Sequence, residues 1–276
     1  MIRLDISGDD RGGVGHDSPR AMTPTLDLAG QIAVVTGAGG GIGRAVCRAF
    51  LDHGATVIMA DLNPHDIDPS VGASGPAQGR VERLAMDVTS EASVTAAFDH
   101  IATAHGAPDI LVNNAGLSIR KGLNELTLGE WERVFAVNVT GAFLCSRAAA
   151  ALMRPRGRGA IVSVGSIMGL SGGGPYPNPS YQASKGALVN LTRGLAVELA
   201  PAGIRVNAVA PTWVRTAFIS ELLKDEARLA GIAALMPMGR IAEPEEVAAA
   251  TLFLASGMAA MITGHTLPID GGYLSQ

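Results

Sequence analysis

Short apolar runs rich in β-branched residues alternate with alanine-rich helical patterns along most of the chain. They predict strands at residues 32–35, 56–60, 81–86, 110–112, 160–164, 204–209 and 266–269, with helices between them at 43–53, 91–105, 128–153, 181–199 and 243–255. The runs are apolar throughout, and not only at every second residue, which is typical of a parallel sheet covered by helices on both faces. The sequence therefore predicts an α/β fold with a doubly wound sheet of about seven strands.

Chain length and composition favour one large domain. The 276 residues show no division into two compositional halves. Residues 1–26 differ from the rest, because they are rich in Gly, Asp and Pro and have little apolar periodicity. Such a segment can bury little surface, so we expect a flexible tail at 1–26 and a single domain at 27–276.

Charge and cysteine usage exclude several classes of partner. With a net charge of −4 the chain lacks the basic field that attracts nucleic acid or an anionic membrane, and we expect neither as a partner. No apolar run approaches the ~18 residues of a membrane span, and no signal-peptide core is seen. Cys47 and Cys145 lie in apolar helical patterns, which indicates a reducing compartment. We therefore expect a cytoplasmic protein, and the histidines show no metal-ligand spacing.

A glycine-rich loop connects the first predicted strand to the first predicted helix at residues 36–43. Glycine allows a tight turn and a close approach of the backbone to a pyrophosphate, which the free amides and positive dipole end of a helix N-terminus stabilise. This position between a strand and a helix predicts dinucleotide binding. The residues concerned are Gly37, Gly40, Gly41, Ile42 and Gly43.

The second predicted strand ends in Asp61, 18 residues after Gly43. A carboxylate there accepts hydrogen bonds from the ribose hydroxyls of the adenosine half and repels a 2′-phosphate. Gly40 and Leu62, where a basic residue would hold that phosphate, are uncharged. The sequence therefore predicts NAD as the cofactor in preference to NADP.

Residues at the ends of two further predicted strands suit contacts with the adenosine half of the dinucleotide. Asp87, followed by Val88, is placed to accept from the adenine amino group, although capping of the next helix by Asp87, Thr89 or Ser90 explains these residues equally well. The small residues in 113–116 would let the ribose approach the backbone. The paired asparagines there would tie neighbouring strands together, and a plain turn is the alternative.

Tyr181 and Lys185 are four residues apart, and Ser166 precedes Tyr181 by 15 residues. On a helix, residues i and i+4 are neighbours, and an ammonium beside a phenol lowers the phenol pKa toward neutral pH. Such a tyrosine is a tunable acid/base, and a serine hydroxyl beside it would hold a carbonyl or alcohol oxygen. The alternative for the Tyr–Lys pair is an ordinary surface pair.

Taken in order, the motifs of the chain resemble those of the short-chain dehydrogenase/reductase family from about residue 28 to the C-terminus. They are the loop at 36–43, Asn113–Gly116, Asn138, Ser166, Tyr181 with Lys185, Asn207 with Pro211, and the C-terminal stretches 263–264 and 269–273. The resemblance implies a single Rossmann-type domain that transfers hydride between a nicotinamide and a secondary alcohol or ketone. It also implies a homotetramer.

The resemblance assigns roles to four catalytic residues. Tyr181 would be the general acid/base, and Lys185 would lower the Tyr181 pKa and bind the nicotinamide ribose. Ser166 would orient the substrate oxygen, and Asn138 would hold a water that continues a proton relay from Lys185.

The same resemblance extends the predicted cofactor and substrate contacts. Val214, through its backbone, and Thr216, through its hydroxyl, would hold the carboxamide, although Thr216 would also suit the cap of a helix. The predicted cofactor residues are Gly37, Gly40, Gly41, Ile42, Gly43, Asp61, Leu62, Asp87, Val88, Asn114, Ala115, Gly116, Tyr181, Lys185, Pro211, Val214 and Thr216. The predicted substrate residues are Ser118, Ser166, Met168, Tyr176, Tyr181, Thr212 and Trp213.

The chain departs from the family pattern beside the substrate. Ser166 and Tyr181 are commonly closer together in the family, so the loop at 171–179 should line the substrate mouth. The longer spacing makes Ser163 a competitor for the serine role, but we expect its side chain to point back into the sheet. Tyr176 is rejected as the base because no lysine lies four residues later. Thr212 stands where the family usually has glycine, which would narrow the pocket.

The stretch 212–240 is predicted to close over the nicotinamide as a substrate lid, with ordinary packing as the alternative explanation of its spaced Leu and Met residues. Arg120 and Lys121 are the predicted cations nearest the mouth. Both suit a carboxylate or phosphate on a substrate, although simple solvation at the surface is favoured.

The leading hypothesis is an NAD(H)-dependent oxidoreductase that interconverts a secondary alcohol and a ketone. A 3-oxoacyl-thioester reductase is one alternative, which Asp61 disfavours because such reductases generally use NADPH. A non-catalytic dinucleotide-binding regulator is the other, and the presence of all four catalytic residues disfavours it.

Overall fold

A computed structural model describes residues 25–67 and 80–276 of the chain. Of the predicted tail, residues 1–24 lie outside the described residues. The described residues form seven strands: β1 Ile32–Thr36, β2 Thr56–Asp61, β3 Val81–Ala85, β4 Ile110–Asn113, β5 Gly159–Val164, β6 Ile204–Pro211 and β7 Thr266–Ile269. All seven pair in parallel in the order β3-β2-β1-β4-β5-β6-β7, so the predicted sheet and fold class are confirmed.

Helices connect these strands and cover both faces of the sheet. They are α1 Gly41–Asp52, α2 Glu91–Ala104, α3 Leu128–Phe135, α4 Ala142–Met153, α5 Pro179–Leu199, α6 Ser220–Leu223, α7 Glu226–Ala233 and α8 Pro244–Ala255. The single helix predicted at 128–153 is interrupted, because Ala136–Gly141 forms a π-helical turn between α3 and α4. A local widening of this kind is often found at functional sites.

Two apolar cores lie on opposite faces of the sheet, because side chains alternate along each strand. Val35 of β1 belongs to the core shared with α1 and α8, and Phe50 of α1 is fully buried there. Val34 belongs to the core on the other face, which includes Phe98 of α2 and Leu144 of α4. The continuous apolar runs of the sequence follow from this burial on both faces.

A third apolar cluster, the lid cluster, joins the stretch 212–240 to the edge of the sheet. Its buried members are Ile167, Trp213, Ile219, Leu222, Ile232, Met236 and Ile241. The spaced apolar residues of α6 and α7 are therefore packed, as ordinary packing requires. Closure of this segment over a ligand stays a prediction.

Among the described residues, one helical stretch, Leu128–Arg156, is long and apolar enough to cross a membrane by length and composition. Half of its most apolar window is buried inside the fold. Leu144, Cys145 and Met153 pack into the core beneath the sheet. This is the environment of a core helix, which passes the same test of length and composition.

Asn207 of β6 ties the sheet to the connection that leads into β7. Its Nδ2 donates to the Ile262 carbonyl at 2.8 Å, and its Oδ1 accepts from the His265 amide at 3.0 Å. The side chain is fully buried, and the Ile262 carbonyl has one further, longer contact of 3.5 Å with Arg205 Nη1.

Replacing Asn207 with Ala should therefore lower the free energy of unfolding by about 1–3 kcal/mol, because two hydrogen bonds between the sheet and this connection are lost. Denaturant unfolding measures the change. The control is Asn190→Ala on the exposed face of α5, expected within about 0.5 kcal/mol of the unmodified protein. Equal stability of the two variants would show that Asn207 does not hold this connection.

Candidate active site

A cavity of about 430 Å³ opens where the strands of the parallel sheet end. The loops after β1, β2, β3, β4, β5 and β6 line it, as expected at the carboxyl edge of an open α/β sheet. Every predicted cofactor residue and every predicted substrate residue lines this one cavity, and Asn138 does not.

Glycine is required at two positions of the loop that follows β1. Gly37 has a φ of +63°, and a Cβ added there would lie 2.8 Å from the Cα of Ala115. A Cβ at Gly43 would lie 2.4 Å from the Gly37 carbonyl oxygen. The cap of α1, Gly40, makes no side-chain cap hydrogen bond, and the first turn holds no acidic residue. The amides and positive dipole end of α1 therefore suit a pyrophosphate.

Asn114 joins this loop to the end of β4. Its Nδ2 donates to the carbonyls of Thr36 at 3.0 Å and Gly37 at 2.9 Å. In return, Thr36 Oγ1 accepts from the amides of Asn114 at 3.1 Å and Ala115 at 3.0 Å. The prediction that an asparagine here ties neighbouring strands is confirmed, and the plain turn is wrong.

Asp61 lines the cavity at the end of β2 and is anchored to the glycine-rich loop. Its Oδ2 accepts from the Gly39 amide at 2.9 Å, whereas its Oδ1 has only a long contact of 3.4 Å with the Asn63 amide. Leu62 beside it is 73% exposed and carries no charge. The carboxylate is thus fixed in position while one oxygen is left with acceptor capacity. The Gly39 contact was not predicted, since it depends on the fold of the loop.

Asp87 lines the same side of the cavity, and the helix that follows is capped by another residue. Asp87 Oδ1 accepts from the amide and the hydroxyl of Thr89, at 2.9 and 2.7 Å. Ser90 is the N-cap of α2, and its hydroxyl accepts from the Ser93 amide. The Asp87 carboxylate therefore orders the strand end, and its role toward adenine stays a prediction.

The three predicted catalytic side chains at β5 and α5 lie together. The Ser166 hydroxyl, just beyond β5, hydrogen-bonds to the Tyr181 phenol. Lys185 is only 4% exposed; its Nζ donates to the Val164 carbonyl at 2.7 Å and lies 5.5 Å from the centre of the Tyr181 ring. A surface Tyr–Lys pair is excluded by this burial. α5 starts at Pro179, two residues earlier than predicted, because proline suits the first turn of a helix.

Burial controls the protonation of both α5 side chains. It raises the pKa of Tyr181 above its usual value, while the hydrogen bond from Ser166 and the charge of Arg120 oppose that rise. Burial lowers the pKa of Lys185 to about 8. Lys185 Nζ is directed to a backbone carbonyl and not to the phenol, so the expectation that Lys185 lowers the Tyr181 pKa stays a prediction.

Asn138 lies outside the cavity, in the π-helical turn. Its side chain is buried, its Oδ1 accepts from the Leu117 amide at 2.7 Å, and its Nδ2 donates to the Leu117 carbonyl and the Ser184 hydroxyl, both at 2.9 Å. The side chain thus joins α5 to the segment after β4 and holds Tyr181 and Lys185 in place through their own helix. A proton relay through Asn138 stays a prediction.

Two competing residues are placed as predicted. Ser163 is buried in the sheet within hydrogen-bond reach of Asn113 Nδ2, so Ser166 and not Ser163 lines the cavity. The Tyr176 hydroxyl accepts from Trp213 Nε1 at 2.8 Å, which occupies it as a packing partner of the lid cluster.

Thr216, in the segment after β6, does not have the helix-capping role considered above as an alternative. Thr216 Oγ1 donates to the Val214 carbonyl at 3.3 Å and makes no cap hydrogen bond to the short 3₁₀ turn at Ala217–Ile219. Helix capping by Thr216 is therefore wrong. Thr212 Oγ1 contacts the Met236 sulfur at 3.4 Å, which links the floor of the cavity to the lid cluster.

Several cavity-lining residues were missed. Asn178 Nδ2 donates to Ser118 Oγ at 2.7 Å, and its Oδ1 is buried without a partner among residues 25–67 and 80–276. Phe218 lies 6.4 Å from the Tyr181 ring, centre to centre. Of the two cations predicted nearest the mouth, Arg120 lines the cavity, whereas Lys121 does not and pairs with Glu130 at 2.6 Å. Only Asn178 offered a signal in the sequence, because it stands three residues before Tyr181 and directly before the proline that starts α5.

Comparison with known proteins agrees with this geometry. A family model described as enoyl-(acyl carrier protein) reductase matches residues 37–274. A cis-4-hydroxycyclohexanecarboxylate dehydrogenase of Sinomonas cyclohexanicum is 43% identical over 89% of this chain and 97% of its own length. A galactitol 2-dehydrogenase (L-tagatose-forming) of Cereibacter sphaeroides is also 43% identical, over 89% and 96%.

The chain belongs to the short-chain dehydrogenase/reductase family. A solved gluconate 5-dehydrogenase of Burkholderia cenocepacia J2315, in complex with NADP and tartrate, superposes with a TM-score of 0.86 at 32% identity and covers 92% of this chain and 98% of that one. Membership confirms the predicted oxidoreductase class, the nicotinamide dinucleotide cofactor and a reaction between a secondary alcohol and a ketone.

The pH dependence of catalysis follows from the Tyr181 environment. If Tyr181 is the predicted acid/base, alcohol oxidation needs its phenolate, and with a raised pKa the rate should climb about tenfold per pH unit below that pKa. Ketone reduction would need the phenol, so its rate should not climb. Ser166→Ala removes a hydrogen bond that lowers the Tyr181 pKa, so the oxidation profile should move to higher pH.

Initial rates at saturating cofactor measure this profile. The matched control is Ser163→Ala, whose hydroxyl lies in the sheet and not in the cavity. A Ser166→Ala profile that stayed in place, or moved to lower pH, would contradict the pairing of Ser166 with Tyr181.

Proposed function

We propose that the protein is an NAD(H)-dependent secondary-alcohol dehydrogenase in which Tyr181 is the general acid/base. The residues fit a dinucleotide, because the loop after β1 has no room for a Cβ at Gly37 or Gly43 and Asp61 is held at the mouth of the adenosine side. When bound, the nicotinamide supplies the hydride acceptor in the oxidative direction and the hydride donor in the reductive one.

The proton step belongs to three side chains of the chain itself. In oxidation, the Tyr181 phenolate removes the substrate hydroxyl proton, while the Ser166 hydroxyl holds the same oxygen in place. Lys185 Nζ lies 5.5 Å from the centre of the Tyr181 ring. When Lys185 is protonated, its positive charge favours the phenolate form of Tyr181, because a nearby opposite charge stabilises the anion. In reduction, the phenol returns the proton to the carbonyl oxygen. Asn138 acts as a positioning residue through its bond to Ser184.

The preference for NAD rests on one observation, the carboxylate of Asp61 in the cavity wall. Among the described residues, the cations that line the cavity are Arg120 and Lys185, and both act near Tyr181 and not near Asp61. A 2′-phosphate would therefore meet a negative charge with no cation beside it. The NADP complex of the gluconate dehydrogenase shows that a related chain of the same fold binds NADP, so the preference proposed here rests on the residues at the end of β2 and not on the fold.

The alternatives gain less support. A non-catalytic regulator would not need Ser166, Tyr181 and Lys185 assembled in the wall of one cavity. A 3-oxoacyl-thioester reductase would generally need NADPH, which Asp61 disfavours. The relatives act, by their names, on a ring alcohol and on a polyol, so we extend to this chain a small polar secondary alcohol as substrate.

We also propose a cytoplasmic homotetramer. Both cysteines are buried and free, which suits a reducing compartment. Large apolar side chains remain exposed on the single chain, among them Val197 of α5 at 79% and Met261 before β7 at 99%. Exposed apolar side chains of this size suit burial against further copies. Sedimentation of the purified protein at several concentrations tests the assembly.

The cofactor preference gives a sharp prediction. Two like charges about 4–5 Å apart at an effective dielectric near ~20 cost a few kcal/mol, and each ~1.4 kcal/mol is about tenfold in affinity. The unmodified protein should therefore favour NAD over NADP by roughly two orders of magnitude in kcat/KM. Asp61→Ser should reduce this ratio, because kcat/KM should fall with NAD and rise with NADP.

Steady-state rates with both cofactors and one turned-over alcohol measure the ratio. Asp52→Ser is the control, because this exposed aspartate ends α1 and does not line the cavity. A ratio that already favoured NADP in the unmodified protein would show that Asp61 does not exclude the 2′-phosphate.

A further inference from the structure

Two arginines meet at one aromatic ring beside the reacting end of the cavity. The Arg120 guanidinium carbon lies 4.9 Å from the centre of the Tyr176 ring, and that of Arg228 lies 5.3 Å from it. Arg120 follows β4, whereas Arg228 belongs to α7 in the stretch 212–240. The ring therefore joins two cations from distant parts of the chain.

Neither guanidinium is paired with a carboxylate within residues 25–67 and 80–276. The neighbouring Lys121, in contrast, is neutralised by Glu130 at 2.6 Å. Two like charges gathered at one ring repel each other, and the ring offsets only part of that repulsion through cation–π contact. An anion bound at either guanidinium would reduce this repulsion.

Tyr176 is a fixed platform for these cations. Its hydroxyl accepts from Trp213 Nε1 at 2.8 Å, and Trp213 is itself only 6% exposed and packs edge-on against Tyr273. The ring therefore cannot swing away without breaking this partly buried hydrogen bond. Arg120 is held beside the cavity in an orientation that stacking preserves, so less side-chain freedom is lost when its guanidinium binds a ligand.

Arg120 also lies close to the side chains that are proposed to hold and deprotonate the alcohol. It lines the same cavity as Ser166 and Tyr181, and its charge favours the phenolate form of Tyr181, which lowers the pKa of that group. A ligand whose alcohol oxygen sits at Tyr181 thus presents its remaining atoms to Arg120. A planar, singly charged carboxylate matches the fork of one guanidinium through two parallel hydrogen bonds.

We propose that the substrate is a hydroxy acid, whose carboxylate is bound by Arg120 with Arg228 as a second cation while its secondary hydroxyl faces Ser166 and Tyr181. This assignment rests on the proposed dehydrogenase function and adds the substrate class. It makes Arg120 the residue that separates acids from neutral alcohols. Arg228 already lies at the same ring, so the segment that carries it contributes to the same selection.

The test compares acids with neutral partners of the same shape. cis-4-Hydroxycyclohexanecarboxylate and its primary amide share ring and hydroxyl and differ in charge, and gluconate is paired in the same way with the corresponding hexitol. In the unmodified protein we expect kcat/KM for the better acid to exceed that of its neutral partner by at least ~10-fold, the scale of one charge-assisted pair. Raising the salt concentration should lower this ratio, because the arginines are exposed.

Arg120→Gln should reduce the ratio of acid to neutral partner to about twofold or less, mainly through KM for the acid. Arg120→Lys should give an intermediate ratio, since an ammonium keeps the charge and loses the bidentate fork. Arg228→Gln should lower the ratio by a smaller factor. Lys121→Gln is the matched control next in sequence, and its ratio should equal that of the unmodified protein.

Because Arg120 also influences Tyr181, the ratio is the readout and the absolute rate is not. Inhibition by cyclohexanecarboxylate, compared with cyclohexanecarboxamide, gives a second readout that needs no turnover of the inhibitor, and it should weaken with Arg120→Gln.

Each outcome decides between the two proposals. Neutral alcohols used as well as acids, or an unchanged ratio in Arg120→Gln, would overturn the hydroxy-acid assignment and leave the dehydrogenase standing. Turnover of phosphorylated alcohols in preference to carboxylates would overturn it in favour of a phosphate ligand. If no secondary alcohol of either kind reduced NAD or NADP, both proposals would fall.

Discussion

Asn114 Nδ2 donates hydrogen bonds to the carbonyls of Thr36 and Gly37, and these bonds hold the point where the strand order changes direction. From β1 the chain goes outward to β2 and β3 and then crosses back to β4 on the other side. The crevice between the two halves is where such a sheet binds ligands. Because Asn114 fixes the loop after β1 against the end of β4, the cofactor side and the substrate side of the cavity keep one geometry.

The second constraint is the burial of Lys185 and Tyr181, which changes the pKa of both side chains. Removing Lys185 and Tyr181 from water disfavours the charged form of each, which lowers one pKa and raises the other. The Ser166 hydrogen bond and the Arg120 charge act in the opposite sense on Tyr181. A base buried in this way becomes effective only where its surroundings supply positive charge and a donor, and both are provided from the loops after β4 and β5.

Much of this arrangement could be predicted from the sequence, because it depends on local patterns. Apolar runs located all seven strands, the glycines of 36–43 located the turn, and Tyr181 with Lys185 located the acid/base, since each signal spans only a few residues. Other features depend on distances between remote parts of the chain and were missed or misjudged. Thr216 bonds to Val214 instead of capping a helix, and Arg120 rather than Lys121 remains unneutralised only because Glu130 reaches Lys121.

The central claim is that Tyr181 moves the proton, and turnover of Tyr181→Phe tests it most directly. The variant keeps the ring and loses the hydroxyl, so NAD should bind almost as before while kcat for alcohol oxidation falls at least ~10²-fold, the scale of losing a general base. Tyr273→Phe, which contacts Trp213 without lining the cavity, should retain its turnover. A Tyr181→Phe enzyme that oxidised the alcohol within a few-fold of the unmodified rate would contradict the account.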